Sequence, residues 1–283
     1  ASNDDLDVEF LSLSSSQLFK QGDLEKAGHL LDKAQEIDPF NGQLAYQNGL
    51  LKMAQNDPEA IKFLEKAIES NPEFEQAISL LTMEHLKNKR FDKALQVARS
   101  AAESDFALSK TLEGVTYKMQ GDLSLAEKAF SAVLNEKPNN VLALYNLANI
   151  AESKGEIAKA VELYQSVLTE DNVNVAAINA VYRIGKNDKY TSVVNNSLIE
   201  LVEKTDYAVN ESIILVGFYM RENKVNQAKT VLAKSLNKNP NNFALSIIET
   251  KALAFDNDSE LALKKLDDLL LLYPQALQAR KLK

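Results

Sequence analysis

Residues 107–140 read ALSKTLEGVTYKMQGDLSLAEKAFSAVLNEKPNN. Two amphipathic helical stretches flank the pair Gly121-Asp122, and each landmark in them has a physical role. Gly121 suits the end of the first helix, where a left-handed backbone is needed. Gly114 and Ala126 are small residues placed where the two helices would cross, and a larger side chain there would push them apart. Pro138 stops the second helix, because it donates no helical hydrogen bond and clashes with the preceding turn. Tyr117 and Phe130 supply bulk to the faces between. The stretch therefore reads as one helix–turn–helix hairpin of 34 residues.

The same landmarks recur outward in both directions. Five of the six prolines, Pro39, Pro72, Pro138, Pro240 and Pro274, are separated by 33, 66, 102 and 34 residues, each close to a multiple of 34. Gly22-Asp23 repeats the Gly121-Asp122 pair, and Gly155-Glu156 varies it. An alanine occupies the twentieth place, or in one case the nineteenth, of seven intervals: Ala27, Ala60, Ala94, Ala126, Ala160, Ala228 and Ala262. Eight repeats follow, at 8–41, 42–74, 75–106, 107–140, 141–174, 175–208, 209–242 and 243–276. Residues 1–7 precede them as a polar segment, and 277–283 begin a further helix. The sixth interval departs, with Val194 at the alanine position, many asparagines and no proline. Pro58 is expected in the first turn of the second repeat's second helix, where it costs little. A single hairpin cannot bury its apolar face, whereas stacked neighbours can.

A 34-residue hairpin with small, aromatic and proline landmarks resembles the tetratricopeptide repeat, and the resemblance covers residues 8 to 276. It implies an all-α fold, a right-handed α-solenoid of about eight repeats, acting as a protein-protein interaction scaffold. In that family the first (A) helices line a concave groove that takes a peptide or partner protein. Carried onto this chain, the groove residues include Tyr46, Leu50, Met53, Met83, Met119, Tyr145, Asn149, Arg183, Lys186, Met220, Arg221 and Lys251. All four methionines of the chain fall in the groove set. Flexible, polarisable Met suits adaptable surfaces, and equally fills gaps between helices. The groove positions hold seven bases and two acids, Glu9 and Glu152, inside a chain of net charge −8. Most of these bases sit in last helical turns, where a cation offsets the helix dipole; Arg183 and Lys251 do not. An apolar groove in repeats two to five, with a more basic end in repeats six to eight, is expected to suit a ligand acidic at one end. No three successive repeats supply the Lys/Asn, Asn and Lys/Arg set with which relatives grip chaperone C-termini.

Composition removes other functions. The excess of 40 acids over 32 bases repels nucleic-acid phosphates, and no cysteine is available for disulfide, thiolate or metal chemistry. No apolar run approaches a membrane span. His29 and His85 lie in different repeats, which excludes a paired site and leaves them as ordinary surface or half-buried side chains. Phosphate-loop, dinucleotide and nucleophile-elbow motifs are missing, so no enzyme and no cofactor is expected. The run Asp256 to Glu260 lacks the Gly and Glu that a calcium loop needs, and is read as a helix cap.

From Phe91-Asp92-Lys93-Ala94-Leu95 through Gly155 the chain also resembles the long tetratricopeptide lipoproteins of bacterial exopolysaccharide export and exosortase (PEP-CTERM) systems. That resemblance implies a structural subunit of an export assembly using ends and edges, placed in the periplasm or on the outer membrane; the alternative is a cytoplasmic adaptor. The opening Ala1-Ser2-Asn3-Asp4-Asp5 lacks an initiator Met and a basic or apolar region, which suggests a processed end. The apolar Leu266, Leu269, Leu270 and Leu272 are expected to be covered by further chain or by self-association of the C-terminal end.

Overall fold

A computed structural model describes residues 3–282; Ala1, Ser2 and Lys283 lie outside it. The described residues form seventeen helices and no strand. They divide into two compact units, Ala1–Pro138 and Asn139–Lys283.

The first unit is four hairpins: α1 Asn3–Lys20 with α2 Leu24–Ile37, α3 Gly42–Ala54 with α4 Ala60–Ser70, α5 Glu75–Lys87 with α6 Phe91–Ser100, and α7 Phe106–Gln120 with α8 Leu123–Glu136. α1 begins inside the stretch set apart as a polar lead-in. Each helix packs on the next, and A helices also meet one another, α1 on α3 and α5 on α7. The second unit continues the pattern: α9 Val141–Ser153 with α10 Ile157–Glu170, α11 Val175–Gly185 with α12 Asp188–Lys204, α13 Val209–Arg221 with α14 Val225–Lys238, and α15 Phe243–Phe255 with α16 Ser259–Leu272, followed by the short α17 Leu277–Leu282.

The landmarks sit where their chemistry requires. α2, α4, α8, α14 and α16 each end two residues before a proline. Asn41, Asn140, Asn174 and Asn242 cap A helices with their side-chain oxygens, and Asp23, Asp122 and Asp258 cap second helices. Each such cap is worth about 1 kcal/mol. Asp258 accordingly serves as a cap within the calcium-like run. Pro58 lies in the turn before α4, outside the helix where it was expected. The seven repeat alanines are all buried, between 0% and 5% exposed, and Val194 in the sixth repeat is 0% exposed.

The A-to-second-helix turn places one left-handed residue at the fifteenth place of seven repeats. It is glycine at Gly22, Gly121 and Gly155, but Asn56, Lys89, Asn223 and Asn257 elsewhere. The sixth repeat has none; α11 passes to α12 through a two-residue turn, and α12 packs directly on α10. At the end of α12 two successive non-glycine residues, Asp206 and Tyr207, adopt φ of 52° and 59°. Such backbone costs about 1–3 kcal/mol per residue and persists only when its surroundings hold it. α14 does so: Lys238 pairs with the Asp206 carboxylate, Lys234 donates to the Tyr207 hydroxyl at 2.7 Å, and Ser235 donates to the Tyr207 carbonyl at 3.0 Å.

His85 is 1% exposed, deeper than a half-buried surface residue. Burial, followed by the nearby positive charges of Lys93 and Arg90, holds its imidazole below the ordinary histidine range, with Glu84 opposing. A neutral buried histidine favours the fold above the unfolded-state value of about 6.5, and that contribution is lost as pH falls from there through the lower folded value. Thermal melts at pH 7.5 and pH 5 should therefore show an acid destabilisation that shrinks in His85→Leu. An identical pH response in wild type and variant would contradict the assignment.

Candidate functional site

The A-helix residues fall into two local settings. In the first unit, α3 contributes Tyr46, Leu50 and Met53, all half-buried. Tyr46 stacks against Phe74 with ring centroids 4.9 Å apart. Beyond it, Met83 on α5 and Met119 on α7 leave 53% and 54% of their surface in solvent. These two helices pack on one another, so two polarisable apolar side chains stand out from adjacent rungs. Buried Gly114 and Ala107 on α7 let its neighbours approach closely. The four methionines thus divide: Met83 and Met119 face solvent, while Met53 and Met220 are half-buried.

In the second unit the same face is polar and tied together. Tyr145 is half-buried on α9, 5.8 Å from the ring of the fully buried Tyr164. The Tyr164 hydroxyl donates to Glu152 at 3.1 Å and lies 3.3 Å from the Asn149 side-chain oxygen. Burial and the neighbouring carboxylate push the Tyr164 phenol well above its ordinary range. Arg183, on α11, grips Glu152 on α9 with both terminal nitrogens, one at 3.0 Å. That guanidinium lowers the Glu152 carboxyl below the usual range against the opposing effect of burial. One repeat further, Arg221 on α13 lies over the Tyr182 ring of α11 at 4.2 Å, and Tyr182 donates to the Ile214 carbonyl at 2.7 Å. Burial raises the Tyr182 phenol to about 12, so it remains a donor throughout the physiological range.

Of the bases expected at the basic end, two are tied to neighbouring helices while remaining exposed. Arg183 and Arg221 join α9 to α11 and α11 to α13. Lys186, the C-cap residue of α11, and Lys251, on α15, are exposed. Lys251 lies on the rim of a cavity of about 510 Å³ lined by Phe255, Leu263, Leu266 and Leu282. The sequence reading missed the Glu152–Arg183 link, although it was visible in outline: opposite charges stand in successive A helices, 31 residues apart.

The described residues include no cluster of His, Cys, Asp or Glu arranged to hold a metal, and no helix among them is long and apolar enough to cross a membrane. The hairpins, their small crossing residues and their capped turns define a helical-repeat fold. Residues 111–175 match the tetratricopeptide repeat family model. That segment carries the tetratricopeptide repeat, and the helical hairpins on either side of it share the fold of tetratricopeptide-repeat proteins. Among solved structures, PilF of Pseudomonas aeruginosa is 16% identical, with a TM-score of 0.56 over 78% of this chain and 100% of that one. PilW, a type IV pilus biogenesis factor, is 14% identical, with a TM-score of 0.55 over 74% of this chain and 98% of that one. At such identities the likeness is one of fold. No curated protein matches the chain by sequence. Tetratricopeptide scaffolds are in general protein-interaction modules, and this coarse role fits the fold.

Proposed function

We propose that the chain is a non-enzymatic scaffold that takes a peptide or partner protein on its A-helix face. The observation that carries this reading is the pair Met83 and Met119, half exposed on the packed helices α5 and α7. Burying a methionine side chain contributes about 1.5–3 kcal/mol, so a partner that covered both would gain substantially. Tyr46, packed against Phe74 within the first unit, shapes the surface beside such anchors. Charge tuning falls to Lys186 and Lys251, since Arg183 and Arg221 are engaged.

The test uses a photo-crosslinking amino acid placed at Met83 or Met119, with Lys66 and Lys159 on second helices as controls. One partner should be captured from the A-helix positions. Its affinity for Met83→Ala/Met119→Ala should then fall about 30-fold, equivalent to about 2 kcal/mol, with melting unchanged. Lys159→Ala should bind as wild type. Substituting Lys186 or Lys251 should chiefly reduce the association rate at low salt, if the ligand is acidic at one end. Capture from the control positions alone would displace this reading in favour of a structural subunit that uses other surfaces.

A further inference from the structure

Phe10 and Leu13 stand out from α1 with 70% and 64% of their surface in solvent. Leu11, Leu18 and Phe19 of the same helix pack inward, on the cluster that includes Leu31 and Ala34 of α2. Phe10 holds the third place of its repeat, counted back from the left-handed Gly22. In α3, α5, α7, α13 and α15 the same place is buried, at Leu44, Ala77, Ser109, Glu211 and Leu245. There an A helix meets the second helix of the preceding hairpin: Leu44 clusters with Leu31 and Ala34 of α2, and Ala77 with Ala67 of α4. α1 thus presents to solvent, with an aromatic side chain on it, the face that later A helices use for stacking.

Acids flank that face. Asp7 stands one helical turn before Phe10 and Glu9 one turn before Leu13, both exposed, and residues 7–13 hold no base. The last hairpin has the opposite character. Its cavity of about 510 Å³ has the exposed Phe255, Leu263 and Leu282 on its wall, and Lys251 is the one charged residue among those described there. On the adjoining α17, Leu277, Arg280 and Lys281 are exposed, and the helix carries no acid. Glu260, Asp267 and Asp268 of α16 form no part of the cavity wall. A cavity of about 150 Å³ already admits benzene, so this one has room for a phenylalanine ring.

Exposed apolar patches rimmed by charge mark association surfaces. The charges decide which surfaces of two copies meet. α1 against α1 would set carboxylates against carboxylates, and the last hairpin against itself would set bases against bases; like charges facing one another oppose association. The last hairpin against α1 pairs unlike signs and brings an aromatic side chain to an apolar cavity. Both surfaces belong to one chain, so each copy carries the complement of the next.

We infer that copies of this chain associate head to tail, with Phe10 and Leu13 of one copy seated on the Phe255, Leu263 and Leu282 cavity of another. Asp7 and Glu9 then face Lys251, Arg280 and Lys281. A heterologous contact of this kind leaves one surface free at each end, so assembly does not stop at two copies. The contact uses neither Met83 nor Met119 and stands apart from the A-helix reading.

Sedimentation velocity on the full chain tests this with two substitutions of exposed residues, Phe10→Lys and Leu263→Glu. Each gives its surface the charge of the surface it meets. Wild type should grow past two copies as concentration rises, and less so at high salt. Each variant alone should associate at least ten-fold more weakly, with melting unchanged. An equal mixture of the two should form a dimer and nothing larger, because each supplies the surface that the other has lost. Wild type that stays monomeric, or stops at two copies, overturns the inference. So does undiminished association of Phe10→Lys alone, which would place the contact between two last hairpins, or of Leu263→Glu alone, which would place it between two α1 faces.

Discussion

Ala126→Glu is expected to cost several kcal/mol and to unfold the α7–α8 hairpin together with its neighbour α5–α6. Ala126 is 0% exposed, in the turn of α8 that crosses α7. A glutamate there needs volume that the packed crossing lacks, and it brings a carboxylate with no partner. Repeat arrays gain much of their stability from nearest-neighbour interfaces, so the damage spreads beyond one hairpin. Ala160→Glu, at the equivalent 0% exposed position of α10, should do the same in the second unit. Lys128→Glu, on the exposed side of α8, should change stability by no more than about 0.5 kcal/mol. Circular dichroism melts of the three variants provide the check; wild-type melting of Ala126→Glu would refute the assignment of that residue to the crossing.

Phe130→Ala should lose about 3–5 kcal/mol, as is usual for truncating a buried phenylalanine. Phe130 is fully buried, and its ring lies against Gly114 of α7. A Cβ at Gly114 would come within 2.8 Å of the ring, so the glycine is the space into which the phenylalanine fits. Gly114→Ala alone should therefore cost about 1–3 kcal/mol through overpacking. Combined with Phe130→Leu it should cost less than the sum of the two single changes, because the smaller side chain relieves the clash. Denaturant titrations of the four proteins in this cycle measure the coupling. Strict additivity would mean that the two residues do not meet.

The repeat was legible because backbone constraints are local. Proline, the left-handed glycine and the small crossing residue each act within a few positions, and their spacing survives in the sequence. The left-handed turn at Lys89 was not legible, since lysine does not announce a positive φ as glycine or asparagine does. There the turn is imposed by the helices on either side. The compressed sixth hairpin was visible only as missing landmarks; nothing local indicates that α12 packs on α10. The A-helix face was legible as a set of positions but not as a set of states. Helical periodicity gives a residue's direction, whereas engagement of Arg183 by Glu152 or exposure of Met83 depends on the neighbouring repeat. The burial of Glu84 was missed for the same reason: it reads as one more carboxylate on a helix, and its burial is a tertiary property.

The links from Glu152 to Arg183 and from Tyr182 to Arg221 also bear on how the second unit could meet another molecule. Long arginine side chains normally sample many rotamers, and fixing one on association costs about 0.5–1.5 kcal/mol. Here each guanidinium already has a partner on the adjacent repeat, which biases it toward one orientation although it remains exposed. A molecule docking across α9, α11 and α13 would find these planes already oriented, with little rotamer entropy left to lose. The surface is pre-organised, closer to a fixed template than to a mobile brush of charge.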